Sequence, residues 1–313
     1  MESDRSTGHS EHFSHVPVMA SEVLSYLNCA NGGTYVDGTV GQGGLARMIL
    51  DASAPAGKLV GFDRDGQAVA ASQAELASYG SRAEIVHANF SEMANKLRER
   101  GIQAVNGIVL DLGVSSVQLD DAERGFSFQV DGPLDMRMDR MQRRTAAEIV
   151  NEESEMSLAR IIAEWGEERF ARRIASAIVR SRAERPITRT LELVDVIRRV
   201  VPAGYRHGRL HYATRTFQAI RIAVNRELES LEAGLRSAVD VLEPGGRLCV
   251  IAFHSLEDRI VKQTFRALAS GPDACLRLVT KKPVTPSDAE SRDNRRARSA
   301  KLRVAERLLR RCA

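Results

Sequence analysis

Asp37-Gly38-Thr39-Val40-Gly41-Gln42-Gly43-Gly44 follows the apolar pair Tyr35-Val36 and leads into a helical stretch from Leu45 to Leu50. A strand that closes on a carboxylate and then turns through glycines into a helix is built to hold a nucleotide-like cofactor. The glycines let the backbone approach a ligand, and the helix N-terminus offers unpaired N–H groups. Asp63 closes a second apolar run, Lys58-Leu59-Val60-Gly61-Phe62, at the place where a carboxylate would grip a ribose diol. Gly41-x-Gly43-x-x-Ala46 also satisfies the dinucleotide fingerprint, so a nicotinamide enzyme is a rival. Asp37 weighs against it, because an acid just before the loop repels a pyrophosphate. S-adenosyl-L-methionine carries an ammonium, a sulfonium and no phosphate, and an acid there attracts it. A tight turn with no ligand is the third reading, and this segment alone leaves all three open.

The surrounding chain alternates. Strands are predicted at Tyr35–Asp37, Leu59–Asp63, Glu84–His87 and Gly107–Leu112, with helices at Ala20–Leu27, Leu45–Ala52, Gln67–Ser78 and Ser91–Arg100. That order predicts an α/β, Rossmann-like parallel sheet whose ligands bind beyond the carboxyl ends of the strands, at Asp37, Asp63, Asn89-Phe90 and Asp111. Phe90 is placed to stack on an adenine, with core packing as its alternative. From Thr145 to Val201 the pattern turns helical throughout, broken by Arg185-Pro186 and closed by Pro202-Ala203-Gly204. The α/β pattern then resumes. One long amphipathic helix is expected from Thr216 to Val241, then a buried strand Arg247–Phe253 and strands at Leu276–Thr280 and Ala300–Ala305. The organisation read from these breaks is a disordered extension (residues 1–14), a cofactor-binding core in two parts (15–140 and 213–313), and an all-α insertion (141–212).

The 313 residues are 43% apolar and 27% charged, an ordinary balance for a globular protein. Cys29, Cys249, Cys275 and Cys312 have no paired spacing that suggests zinc or a disulfide frame, so reduced thiols and a cytoplasmic setting are expected, with no metal. No apolar run reaches the roughly 18–20 residues that span a bilayer. Net charge is +4, but the basic residues are clustered. Arg292, Arg295, Arg296, Arg298, Lys301 and Arg303 crowd the C-terminal segment, and a second arginine-rich stretch runs from Arg137 through Arg144 to Arg185. Such clusters suit a phosphate backbone, with Arg295, Arg296 and Arg298 the densest; a solvated face is the alternative.

More specific stretches follow. They are His15-Val16-Pro17-Val18-Met19, Asp111-Leu112-Gly113-Val114-Ser115-Ser116, Arg124-Gly125-Phe126-Ser127-Phe128 and Asp131-Gly132-Pro133-Leu134-Asp135-Met136-Arg137-Met138-Asp139. Further on stand Ala213-Thr214-Arg215-Thr216-Phe217-Gln218, Leu242-Glu243-Pro244-Gly245-Gly246 and Phe253-His254-Ser255-Leu256-Glu257-Asp258-Arg259. Together they are similar to the bacterial ribosomal RNA small-subunit methyltransferase H family, also called MraW, over about His15 to Leu308. The resemblance implies a methyltransferase sheet interrupted by a helical domain. It also implies S-adenosyl-L-methionine as methyl donor and transfer to N4 of cytidine 1402 of 16S rRNA in the small ribosomal subunit. It places cofactor contacts at Gly43, Gly44, Leu45, Asp63, Phe90, Asp111 and Gln118. The family usually has histidine where this chain has Leu45, which leaves a backbone contact there and removes any side-chain one. Arg295 stands where the family's proline is expected.

An N4 amine is a poor nucleophile, since its lone pair is delocalised into the ring. Methylating it requires hydrogen-bond acceptors that draw the amine toward tetrahedral geometry. Asp111 occupies the position after the fourth strand where such an acceptor is expected; serving only the cofactor's ammonium end is the alternative. Carbon-5 methylation would need a cysteine nucleophile, and no cysteine falls at a strand end that carries cofactor motifs. Phe126 and Phe128 are candidates to hold an extruded base, core packing being the alternative for each. His254 is a candidate contact to the target base or phosphate. Oligomeric state, dimer included, is left open.

Overall fold

The computed structural model describes residues 17–294 and 296–309. The expected extension (residues 1–14), His15, Val16, Arg295 and Cys312 lie outside the described residues. The sheet strands are β1 (Thr34–Asp37), β2 (Lys58–Asp63), β3 (Ala83–His87), β4 (Val105–Asp111), β5 (Leu242–Ala252), β6 (Leu276–Leu278) and β7 (Lys301–Arg307). Their order is β3-β2-β1-β4-β5-β7-β6. The first five are parallel, and β7 runs antiparallel between β5 and β6. The chain leaves β1 in one direction through β2 and β3, then returns to lay β4 on the other side. The crevice between the ends of β1 and β4 is therefore the topological switch point, where sheets of this kind bind ligands.

Alternation along each strand divides the core between the two faces. Val36, Val60, Ile108 and Leu110 pack on one face, while Tyr35, Leu59, Val109 and Ile251 pack on the other. The strands are buried on both sides, which explains why they read as nearly continuous apolar runs. Helices α1 (Ala20–Leu27), α2 (Gly44–Ala52), α3 (Gly66–Glu75), α4 (Met93–Glu99) and the short α5 (Ser116–Asp120) belong to the first part of the sheet.

A separate apolar cluster, from Phe126 to Val224, is built on α6 (Ala146–Glu152), α7 (Glu155–Gly166), α8 (Ala171–Glu184), α9 (Thr190–Val200), the short α10 (Ala203–Arg206) and α11 (Thr214–Asn225). Helices α12 (Glu227–Val241) and α13 (Ser255–Leu268) return to the sheet, and the short α14 (Asp288–Asp293) precedes β7.

The stretch from Thr145 to Val201 folds as the helices α6 to α9, the first two capped by the hydroxyls of Thr145 and Ser154. Two expectations are corrected. The long helix from Thr216 to Val241 is two helices, broken at Arg226, whose φ of 49° lies in the left-handed region. The break has a tertiary cause. The Arg64 guanidinium takes the Asn225 carbonyl with two bonds of 2.9 and 2.7 Å, and the buried Asn225 amide bonds Met138 N and Met136 O. Finally, Cys29 and Cys249 are free thiols, but the fully buried Cys275 is disulfide-bonded, so the expectation of reduced cysteines fails for it.

Candidate active site at the carboxyl ends of β1, β2 and β4

Asp37, Asp63 and Asp111 end β1, β2 and β4. The loop after β1 is shaped by Gly41 and Gly43, at φ 53° and 87°, values open to glycine without strain. Asp63 fastens this loop: one carboxylate oxygen accepts Gly41 N–H at 3.0 Å, the other Asp65 N–H at 2.9 Å. Thr39 Oγ1 accepts the Asp111 amide at 2.7 Å, which ties the β1 loop to β4. Asp37 is buried and accepts from Thr39 N at 3.1 Å. Asp111 Oδ1 is buried with no hydrogen-bond partner among the described residues.

The electrostatics are unbalanced. Burial, opposed by the Thr39 amide and reinforced by Asp63, pushes the Asp37 carboxyl up to about 7. Burial, with Asp37 and Glu257 adding repulsion, pushes Asp111 up to about 8. Asp63 is raised by burial as well. Converging carboxylates with an unpaired oxygen are complementary to a cationic ligand and hostile to a pyrophosphate. An ammonium and a sulfonium fit this donor set.

Gly44 begins α2, and Leu45 beside it is buried in the core, so it offers a ligand only its backbone. Phe90 is half-buried at the start of a short turn that Asn89 caps, and its ring lies against α12. Gln118 is buried, donates to Asp65 Oδ2 at 2.8 Å and caps Ser115 N at 3.0 Å. Asp65 was not singled out in the sequence. It caps α3 and forms a buried ion pair with Arg124 at 2.8 Å. The signal available was an Asp directly before the helical Gly66 segment; nothing marked Arg124.

His254 caps α13, with Nδ1 toward Glu257 N at 3.4 Å and a reciprocal bond from His254 N to the Glu257 carboxylate. Its buried Nε2 lies 3.2 Å from Glu257 Oε1 and has no aligned hydrogen-bond partner among the described residues. Burial opposes ionisation of Glu257, but His254, Arg221 and the Phe253 amide outweigh it and hold the carboxyl below its ordinary range. Glu227, His254 and Glu257 bring one potential metal-ligand atom each within 4.8 Å of one another. Arg221 already grips Glu227 there with bonds of 2.9 and 2.8 Å.

The base-holding candidates diverge. Phe126 is 5% exposed inside the helical cluster, under the Arg124 guanidinium, so a base has no access to it: that expectation is corrected. Phe128 is half-buried and stacks on His211 at 4.8 Å. Arg296 turns back onto α5, bonding Ser116 and reaching Asp120 at 3.4 Å, whereas exposed Arg298 bonds the Ser291 carbonyl at 2.8 Å.

Two other observations bear on chemistry. Cys29 precedes β1 at the opposite sheet edge and Cys249 is buried within β5; burial raises their thiols to about 11 and about 12, so neither is a thiolate at neutral pH. A cleft of about 420 Å³ opens at that opposite edge, beside Asn28, Asn31, Tyr35, Asn106 and Arg247. It has no carboxylate in its lining, and so lacks what a cationic ligand requires. A recess of about 50 Å³ at the carboxylate edge is lined by Gly41, Gln42, Asp65, Gln67, Ser115 and Val117 among others.

Residues 12–308 match the MraW methylase family. A protein of Geobacter sulfurreducens called Ribosomal RNA small subunit methyltransferase H is 56% identical over 309 residues, covering 95% of this chain and 99% of that one. Another of that name, from Geobacter sp. strain M21, is 53% identical over 95% of this chain and 100% of its own. A more distant likeness is to the crystal structure of a putative rRNA-methylase from Clostridium thermocellum. It has a TM-score of 0.44 and 11% identity, covering 92% of this chain and 95% of that one.

Proposed function

The chain belongs to the MraW methylase family, and from that premise we propose that it is an S-adenosylmethionine-dependent methyltransferase acting on N4 of cytidine 1402 in the 16S rRNA of the small ribosomal subunit. The observation that carries the cofactor is the convergence of Asp37, Asp63 and Asp111 at the β1/β4 switch point, with Asp111 Oδ1 unpaired. The donor supplies an electrophilic methyl group when bound. Asp63 and Asp37 would hold its polar ends, Gly41, Gly43, Gly44 and Leu45 would meet it with backbone, and Phe90 would pack its adenine. Gln118 would act through Asp65, which it braces. On the substrate side the work would fall to Asp111: its free oxygen would accept a hydrogen bond from the N4 amine, localise the lone pair, stabilise the positive charge that develops on the nitrogen and take the proton that the amine gives up.

The free thiols support nitrogen over carbon-5 as the methylated atom, since neither reaches the carboxylate edge nor ionises near neutral pH. Among the described residues no helix is long and apolar enough to cross a membrane, and a cytoplasmic setting suits a ribosomal substrate. The residues expected to flank the RNA are Phe128, His254 and Arg298, with Arg296 bracing α5. Small subunits from cells lacking the protein, incubated with it and labelled donor, should gain N4-methylcytidine at position 1402 and nowhere else. Label on another base or at carbon-5 would overturn this reading.

A further inference from the structure

Between Asp195 and Glu227 the chain carries no acidic residue, while Arg198, Arg199, Arg206, Arg209 and Arg215 fall in that interval along with His207 and His211. The loop at its centre is fixed at both ends by aromatic rings. On one side Tyr205 donates to Glu168 at 2.5 Å and meets Phe170 edge-on at 5.0 Å, with the exposed Arg169 lying over both rings at 4.7 and 4.8 Å. On the other, Phe128, His211 and Tyr212 form a row: His211 is parallel to Phe128 at 4.8 Å and lies 4.1 Å from Tyr212. Phe128 is seated edge-on against core residue Phe217 at 5.5 Å, so the row rests on a rigid base. His211 is nevertheless exposed, as are His207 and Arg209. Half-buried Arg206 donates from its guanidinium to the Val201 carbonyl at 3.3 Å, and its buried Nε has no acceptor among the described residues.

An acid-free loop with exposed cations around a rigid row of rings matches the chemistry of single-stranded nucleic acid: phosphates meet the cations and bases stack on the rings. We propose that the loop 205–212 is a docking surface for single-stranded RNA, where a nucleobase joins the row Phe128–His211–Tyr212 and Arg206 and Arg209 neutralise its phosphates. The proposal rests on the rRNA reading above and deepens it. Helix α11 starts beside the rings and ends at Asn225, whose carbonyl is held by Arg64, next to Asp63. At about 1.5 Å per residue the twelve-residue helix sets the rings roughly 18 Å from the cofactor edge. The surface therefore holds nucleotides flanking the target, not the target base. Partial burial also holds the His211 pKa below its ordinary value, which favours the neutral ring for stacking near pH 7.

The test uses the full chain and a single-stranded oligoribonucleotide carrying 2-aminopurine beside a central cytidine, followed by anisotropy and by fluorescence quenching. His211→Ala should bind about tenfold more weakly and lose the quenching, while His211→Phe restores both. Arg209→Ala should lower the salt slope by about 0.7. Adenosylmethionine affinity and thermal midpoint should stay at wild-type values in all three. Wild-type oligonucleotide affinity and quenching in His211→Ala would overturn the proposal, as would an oligonucleotide that the native protein does not bind. Binding and quenching by a native protein that transfers no methyl to small subunits would support the surface and count against the proposed reaction instead.

Discussion

Asp37 and Asp111 are held in an environment that favours their protonated forms, to about 7 and about 8. A folded pKa above the unfolded value means stability that is complete below about pH 4 and is lost as pH rises through 7 to 8. In the absence of ligand these groups therefore weaken the fold at pH 8, and a cationic ligand relieves them. Adenosylmethionine affinity should rise between pH 6 and 7.5, with protons released on binding; calorimetry in buffers of differing ionisation enthalpy would detect them, and a flat profile would refute the assignment. Asp37→Asn should raise ligand-free stability at pH 8 by on the order of 1–3 kcal/mol while weakening cofactor binding. The unpaired oxygen of Asp111 calls for a kinetic test. Asp111→Asn should reduce turnover at saturating donor far more than donor affinity. Equal losses in both would make Asp111 a cofactor ligand only.

At the scale of elements, α12 and the turn at Phe90 bound the proposed adenine side of the site. A Cβ at Gly234 would stand 2.4 Å from two ring carbons of Phe90, so the helix can approach this closely only with glycine there. Gly234→Ala should push the ring off its seat, cost about 1–3 kcal/mol of stability, and weaken adenosylmethionine binding beyond what a distant core change does. Unfolding curves and calorimetry on the same preparation separate the two effects; intact affinity would show that Phe90 packs only on α12. The elements around the site were legible in the sequence where short-range pattern governs them. β1 and β2 end at their expected residues because each is a buried apolar run stopped by an acid, and α1 falls where its periodicity puts it. What stayed hidden was made by distant partners. Arg226 breaks a continuous apolar periodicity because Arg64, remote in sequence, takes the carbonyl before it. Phe126 reads like Phe128 in sequence, but only the packing of the helical cluster separates buried from half-buried.

Across the whole molecule, the turn Asp63-Arg64-Asp65 ties the sheet to the helical cluster and its flanking loop. Asp63 fastens the glycine loop, Arg64 fastens the end of α11, and Asp65 fastens Arg124, whose guanidinium also binds the Arg137 and Met138 carbonyls at 3.0 Å. Arg124 is 1% exposed, so its positive charge has no solvent to fall back on and depends on these partners. Removing one member of such a pair leaves the other charge buried, whereas replacing both is far milder. Arg124→Met should therefore cost about 3–5 kcal/mol. Asp65→Asn retains an acceptor and a cap for α3 but strips the charge, so combining it with Arg124→Met should cost less than the sum of the single changes by about 1–3 kcal/mol. The readout that bears on function is donor affinity. If this turn joins the cofactor loop to the helical cluster, Arg124→Met should loosen Asp63 and weaken adenosylmethionine binding although it does not line the carboxylate crevice, and the double variant should recover part of the loss. Additive stabilities with unchanged donor affinity would reduce the Arg124–Asp65 pair to local packing and sever the proposed link between the two parts of the fold.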